Sequence, residues 1–144
     1  MGPHPHHFSI VVDIDASADR VWSVIRDIEH WPEWTPTVMS VRLLEDGPLA
    51  VGSRAFIRQP KLAPAKWRVT ELDDVSRGFT WITRGPGILV TARHWVEPSG
   101  NGSRATLSIQ FSGLLAPLVA RFTRKLNERY LALEANGLRA RSEE

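Results

Sequence analysis

The chain has 144 residues, of which 42% are apolar and 24% are charged, as in an average folded domain, so disordered and fibrous classes are excluded. It has no cysteine, which excludes disulfides, thiolate catalysis and zinc–thiolate sites. The 18 basic residues exceed the 16 acidic ones by only two, so no strongly charged class is indicated. No run approaches the ~20 apolar residues of a membrane span and the N-terminus lacks a signal region, so we expect one cytoplasmic domain.

The N-terminal residues predict a tail followed by a strand. Residues 1–7 hold three histidines and two prolines without periodicity, which indicates a disordered or non-native extension. Residues 8–16 alternate apolar and polar side chains, as in a half-buried strand. We expect a single ligand-binding domain over residues 8–141 and a second short tail at residues 142–144.

A short amphipathic helix and a proline-bearing corner follow this strand. Ser17 is a favourable N-cap, and the apolar residues after it recur at three- and four-residue spacing. Pro32 and Pro36 stiffen the next segment, because proline lacks a backbone donor and disfavours helical geometry in the residue before it. Trp31 and Trp34 are thereby held on a rigid corner, where they either pack in the core or cap one end of a cavity.

The middle of the chain predicts a meandering antiparallel sheet. Short apolar segments are separated by turns that contain glycine and proline, and these short connections favour hairpins over parallel units with crossover helices. Together with the first strand, the segments give six or seven strands in an α+β fold. The predicted strands cover residues 38–45, 53–59, 66–72, 79–83, 88–97 and 104–111.

A long C-terminal helix over residues 114–141 is the clearest single element. No turn signal occurs before Gly137, and Pro117 lies in the first turn, where its missing donor is harmless. One stripe of the helix is apolar and is predicted to pack on the sheet; it contains Leu115, Leu118, Val119, Phe122, Leu126, Tyr130 and Leu133. The helix also carries a basic group typical of a solvated surface, namely Arg121, Arg124, Lys125 and Arg129.

Several short motifs together resemble those of a known superfamily. They are Ala18-Asp19-Arg20-Val21-Trp22, Asp27 with Trp31-Pro32-Glu33-Trp34-Thr35-Pro36, Trp67-Arg68-Val69-Thr70-Glu71, Gly85-Pro86-Gly87, His94 and Phe111-Ser112-Gly113-Leu114-Leu115. With the order of the elements, they make residues 8–139 similar to the START-like, Bet v 1-like (SRPBCC) superfamily, specifically to its polyketide cyclase/dehydrase and lipid-transport branch. The resemblance implies a helix-grip fold, in which a curved antiparallel sheet of six to seven strands wraps around the C-terminal helix, with one or two short helices after the first strand.

The resemblance also implies a cavity between the sheet and the long helix. The ligand expected there is a small hydrophobic or amphipathic molecule, either polyketide-like or a lipid. No cofactor is implied, and the spacing of the histidines and acidic residues predicts no metal site. The residues expected to bind the ligand are Trp34, Met39, Ile57, Trp67, Val69, Trp81, Ala92, His94, Ile109, Phe111, Leu115, Leu118, Phe122 and Leu126.

Three residues are candidates for acid–base chemistry. His94 interrupts the apolar positions of its strand, so it points inward either as a reactive imidazole or as a hydrogen-bonded structural residue. Glu71 shares the predicted face of Trp67, and Tyr130 lies on the helix stripe. A cyclase or dehydratase needs an acid–base pair near a ligand carbonyl, so the predicted pair is His94 with Glu71 or Tyr130.

Two alternatives belong to other functional classes. A non-enzymatic interaction or regulatory module would use the groove or the long helix, and a filled cavity would favour it. Weak nucleic-acid binding would use the basic face of the last helix, but no concentrated basic stripe supports it. The sequence leaves the oligomeric state open between a monomer and a homodimer.

Overall fold

The computed structural model describes residues 6–144. In this range the chain forms seven strands, which are β1 (His7–Ile14), β2 (Ser40–Leu43), β3 (Arg54–Arg58), β4 (Ala65–Asp73), β5 (Gly78–Gly85), β6 (Ile88–Ser99) and β7 (Gly102–Ser112). The α-helices of the same range are α1 (Ala18–Arg26), α2 (Ala116–Phe122) and α3 (Arg124–Ser142), and a 3₁₀ helix covers Ile28–Glu33. Between residues 6 and 144, no helix has both the length and the apolar character needed to cross a membrane.

The strands of the described range form one antiparallel sheet in the order β1-β7-β6-β5-β4-β3-β2. From β2 to β7 each strand pairs with its neighbour in sequence, because the connections between them are short enough for hairpins. β1 pairs with β7, with Ile10 opposite Leu107. The predicted α+β helix-grip fold, with its sheet of six to seven strands and its C-terminal helix, is confirmed.

The core lies between this sheet and the helices. α3 crosses β1 and β7, and its buried residues Leu131, Ala135 and Leu138 recur at three- and four-residue spacing. α1 contacts α3 and the sheet through side chains that include the fully buried Val21. Ser17 caps α1 as predicted, because its hydroxyl accepts a hydrogen bond from the backbone N–H of the third helical residue at 3.1 Å.

The predicted continuous C-terminal helix is interrupted at Thr123, between α2 and α3. The Thr123 hydroxyl donates to the carbonyl oxygen of Val119 at 2.6 Å and accepts from Nδ2 of Asn127 at 2.9 Å. A hydroxyl that bonds the preceding turn competes with the helical hydrogen-bond ladder and bends the helix. α2 packs on β7 through the small residues Ala116 and Ala120.

The sheet and α3 extend slightly beyond the predicted domain boundaries. β1 begins at His7, and the carbonyl oxygen of His6 accepts from the backbone N–H of Phe111 at 3.0 Å. At the other end, α3 includes Ser142, which is buried. Residues 6, 7 and 142 are thus part of the folded body, whereas residues 1–5 of the tail predicted for residues 1–7 lie outside the described residues.

Candidate functional site

A cavity of about 80 Å³ lies between the sheet and α3. Strands β3 to β7, the 3₁₀ helix and one face of α3 supply its walls, and the loop between β3 and β4 closes one side. A larger groove of about 720 Å³ lies outside, between β1 and α2, but it is open to solvent. The residues that were predicted as site residues and lie on the wall of the inner cavity are Ile57, Trp67, Trp81, Ala92, His94, Ile109 and Tyr130. Their role in binding stays a prediction.

Aromatic side chains fill most of the space between the sheet and α3. The ring of Trp81 has its centroid 5.2 Å from that of Phe79, 5.4 Å from that of Trp31 and 5.5 Å from that of Trp67. Tilted and edge-to-face contacts of this kind stabilise a core beyond the area that they bury. The cavity is therefore the small space left beside an aromatic cluster, well below the roughly 300–1,000 Å³ of sites for drug-sized ligands.

His94 lies on β6, directly opposite Phe79 of β5, and forms part of the cavity wall. The two rings are stacked, with a centroid distance of 4.6 Å and an interplanar angle of 10°. Burial lowers the pKa of His94 from 6.5 to about 3, because the charged imidazolium would lose its hydration among apolar rings. His94 is therefore neutral near pH 7, where it offers a hydrogen bond and not an acidic proton.

Two buried nitrogens on the cavity wall have no hydrogen-bond partner among the described residues. They are Nδ1 of His94 and Nε1 of Trp67. By contrast, Nε1 of Trp31 donates to the carbonyl oxygen of Ile25 at 3.0 Å. A buried polar group is normally paired, and leaving one unpaired costs about 1–3 kcal/mol. Both nitrogens are enclosed by protein atoms, so a molecule in the cavity would contact them only after neighbouring side chains shift.

Glu134 is a candidate residue that the sequence analysis missed. Its carboxylate lies on the cavity wall and accepts a hydrogen bond from Oγ1 of Thr37 at 2.9 Å. Loss of hydration raises the pKa of Glu134 from 4.5 to about 7, and the hydrogen bond from Thr37 opposes this shift only in part. The signal in the sequence was its spacing from Tyr130, because residues four apart share one face of a helix.

Tyr130 joins α3 to the loop between β3 and β4. Its hydroxyl donates to the carbonyl oxygen of Pro60, and Gln59 and Leu62 of the same loop line the cavity. Burial raises the pKa of Tyr130 above its ordinary value of 10.0, so the phenol keeps its proton. Within residues 6–144, no three His, Asp or Glu side chains come together in a way that could hold a metal ion.

Glu71 does not line the inner cavity, so the structure does not bring the predicted pair of His94 and Glu71 together there. The register between β4 and β5 shifts between Val69 and Glu71. A bulge adds one residue to a strand and reverses the alternation of side chains beyond it. Glu71 is consequently exposed, and Leu72 is the partly buried residue. The carboxylate that shares the cavity wall with His94 is that of Glu134.

Three residues of the C-terminal stripe that were predicted to bind the ligand do not line the cavity. Leu118 and Phe122 of α2, and Leu115 just before it, are exposed. Met39, another predicted binding residue, is exposed as well and directly precedes the outermost strand β2.

Four more predicted binding residues lie away from the cavity. Trp34 packs against Gly137 of α3, and Val69 is fully buried in the core but does not line the cavity. Phe111 belongs to a separate cluster beneath α2, and Leu126 is half-buried on α3 outside the cavity wall. The periodicity of a strand or helix identifies inward positions, but it does not distinguish a cavity wall from a filled core.

The shifted pKa values of His94 and Glu134 predict opposite effects of pH on stability. Below pH 6.5 the unfolded chain protonates His94, and the folded chain does not until about pH 3, so acidification destabilises the fold in this window. The folded chain keeps Glu134 protonated up to about pH 7, and the unfolded chain ionises it above 4.5, so raising the pH destabilises the fold in that window.

We therefore expect two variants to depart from the wild type at opposite ends of the pH range. The His94→Leu variant should gain stability relative to the wild type as the pH falls below 6.5, and Glu134→Gln should gain it as the pH rises from 4.5 to 7. Urea unfolding at a series of pH values measures both differences. Profiles that run parallel to that of the wild type would contradict the burial of these groups.

Known proteins share this architecture. The solution NMR structure of a protein from Thermobifida fusca has a TM-score of 0.80 and 20% identity, covering 95% of this chain and 93% of that chain. The Zhui aromatase/cyclase from Streptomyces sp. R1128 has a TM-score of 0.74 and 20% identity, with 95% and 93% covered. Ara h 8.0201 has a TM-score of 0.68 and 12% identity, with 92% and 97% covered. At these identities the similarity shows the fold alone.

The sequence itself matches a family model over almost its entire length. No curated protein sequence matches the chain. Residues 5–143, however, match the family model described as "Polyketide cyclase / dehydrase and lipid transport". The match covers the whole sheet, the helices and every residue of the cavity wall. The chain therefore belongs to the polyketide cyclase / dehydrase and lipid transport family.

Proposed function

We propose that this protein binds a small, mostly apolar molecule carrying a hydrogen-bond acceptor in the cavity between the sheet and α3. The observation that carries the proposal is that Trp67 and His94, which line the cavity, each hold a buried nitrogen without a hydrogen-bond partner among the described residues. The indole N–H of Trp67 can only donate, so it requires an acceptor oxygen from the ligand. Nδ1 of His94 donates or accepts according to its tautomer. The rings of Trp31 and Trp81 supply the apolar surface that a hydrocarbon skeleton requires.

Family membership supports a polyketide-like or lipid ligand, since both combine oxygen atoms with an apolar skeleton. A cavity of about 80 Å³ encloses only one ring or a short segment of such a molecule. The rest of the ligand would extend out of the cavity past the loop between β3 and β4, where Leu62 is 40% exposed and lines the cavity. We infer that this loop must move for a longer ligand to enter, breaking the hydrogen bond between Tyr130 and Pro60.

Acetophenone and cumene test the requirement for an acceptor, because they have similar shapes and only acetophenone carries a carbonyl. Isothermal titration calorimetry should show both molecules binding, with acetophenone tighter. Trp67→Phe removes the N–H and keeps an aromatic ring. It should therefore lower the affinity for acetophenone by about tenfold and leave the affinity for cumene nearly unchanged. Trp95→Phe is the matched control on an exposed side chain and should alter neither affinity.

If neither acetophenone nor cumene binds, the binding proposal is refuted and the non-enzymatic interaction module is favoured. Binding of both probes with no effect of Trp67→Phe would keep an apolar site but refute the role of the indole N–H. Native mass spectrometry of freshly purified protein would give the mass of any natural ligand that stays bound during purification.

A second candidate function is proton transfer to or from the bound molecule. Its supporting observation is the pKa of about 7 at Glu134, which suits a group that both gives and takes protons near neutral pH. Cyclisation and dehydration of a carbonyl compound both need such a group. With a reactive polyketide mimic, Glu134→Gln should abolish turnover and keep acetophenone binding. Equal turnover by the variant would exclude Glu134 as the proton-transfer group, and no turnover by the wild type would leave a carrier.

A further inference from the structure

Four large apolar side chains project into solvent around α2. Their exposed fractions are 93% for Leu114, 77% for Phe122, 53% for Leu118 and 43% for Leu115. We call these four residues the α2 patch. Single exposed apolar residues are common on proteins, but a contiguous group of this kind marks an interaction site.

The position of the α2 patch is fixed by the other side of the helix. Ala116 and Ala120 are buried on β7 against Phe111, and their small size lets α2 lie close to the sheet. The backbone N–H of Leu115 donates to the carbonyl oxygen of Gly87, in the turn between β5 and β6, at 2.9 Å. The exposed leucines and phenylalanine therefore face outward because the opposite face is already packed.

Positive charge surrounds the α2 patch. Residues 113–127 contain no Asp or Glu. Arg121 and Lys125 are exposed and form no ion pair with any residue that the structure describes, whereas Arg124 pairs with Glu128 at 3.1 Å. Val75, which is also exposed, lacks this setting, since it directly follows Asp73 and Asp74.

We propose that the α2 patch docks on the surface of an anionic lipid bilayer. Leu118 and Phe122 would enter the boundary between headgroups and acyl chains, while Arg121 and Lys125 would lie at the level of the lipid phosphates. Exposed apolar side chains on one helix suit insertion into a fluid interface. A twofold contact with a second copy would bring the free positive charges of both copies together, which disfavours it.

Vesicle co-sedimentation tests this surface. The protein should bind vesicles of phosphatidylcholine mixed with phosphatidylglycerol, bind pure phosphatidylcholine weakly, and lose affinity as salt is raised. The double variant Leu118→Ser/Phe122→Ser should lower the partition coefficient by about tenfold or more. Arg121→Gln/Lys125→Gln should lower it by about tenfold and reduce its salt dependence.

The matched control is Val51→Ser/Val75→Ser, which removes two side chains that are 63% and 86% exposed outside the patch. It should bind as the wild type does, and all variants should keep the wild-type circular dichroism spectrum. The proposal is overturned if the wild type does not bind the mixed vesicles, or if the control variant loses as much affinity as the patch variants. It is also overturned if Leu118→Ser/Phe122→Ser disrupts a dimer in solution, or if the basic residues bind RNA more tightly than vesicles.

Discussion

Replacing Gly137 by alanine is expected to lower the free energy of unfolding by about 2–3 kcal/mol. Helix propensity alone predicts the opposite, since alanine is better than glycine inside a helix by about 1 kcal/mol. A Cβ atom at residue 137 would overlap the carbonyl oxygen of Trp34 and lie 3.2 Å from its indole Cε3. Trp34 is held in place, because its backbone N–H and that of Thr35 both donate to the carbonyl oxygen of Trp31 at 3.0 Å.

Urea unfolding followed by circular dichroism measures this effect. Asn136→Ala is the matched control, because residue 136 is exposed on the same turn of α3 and alanine there should stabilise the helix slightly. If Gly137→Ala were as stable as the wild type or more so, the close packing of α3 on the corner that contains Trp34 would be wrong.

Trp31→Ala should cost about 3–5 kcal/mol, a large part of the roughly 5–15 kcal/mol that stabilises a domain. Trp31 is 5% exposed, and its ring contacts those of Trp81 and His94 at centroid distances of 5.4 and 5.3 Å. The substitution removes these contacts and leaves the carbonyl oxygen of Ile25 without its donor. The melting temperature should fall by about 10 °C, as recorded by differential scanning calorimetry.

Indole provides a second measurement on the same variant. The missing ring would enlarge the cavity that Trp31 lines, so added indole should bind there and raise the melting temperature of Trp31→Ala. Trp95→Ala is the control, since Trp95 is 37% exposed. Its melting temperature should fall less than that of Trp31→Ala, and indole should not raise it. A failure of indole to stabilise Trp31→Ala would indicate that the surrounding side chains collapse into the space.

Local patterns predicted the fold because they act over a few residues. The alternation along β1, the cap at Ser17 and the glycine-bearing hairpin turns each restrict the backbone directly, and together they define the meander. The inward positions of Trp67, Trp81 and His94 follow from the same alternation. These residues therefore reached the cavity wall as predicted.

Predictions failed where the pattern of neighbouring residues was overridden by another interaction in the folded chain. A bulge after Val69 turned Glu71 outward, and the hydroxyl of Thr123 separated α2 from α3. Gly137 lies inside α3, as the predicted helix over residues 114–141 requires, but only the structure shows that Trp34 occupies the space a side chain would take there. No periodicity in a single strand or helix contains this information.

The family, the meander and many of the residues that face the interior followed from the sequence alone, because periodicity and turn chemistry are properties of neighbouring residues. The indole rings packed around the cavity, the position of Glu134 on the same wall as His94, and the exposure of Leu118 and Phe122 on α2 became visible in the folded chain alone. The physical reason is that burial, pKa and free space depend on the distance between elements, which is set by how side chains far apart in the chain pack together.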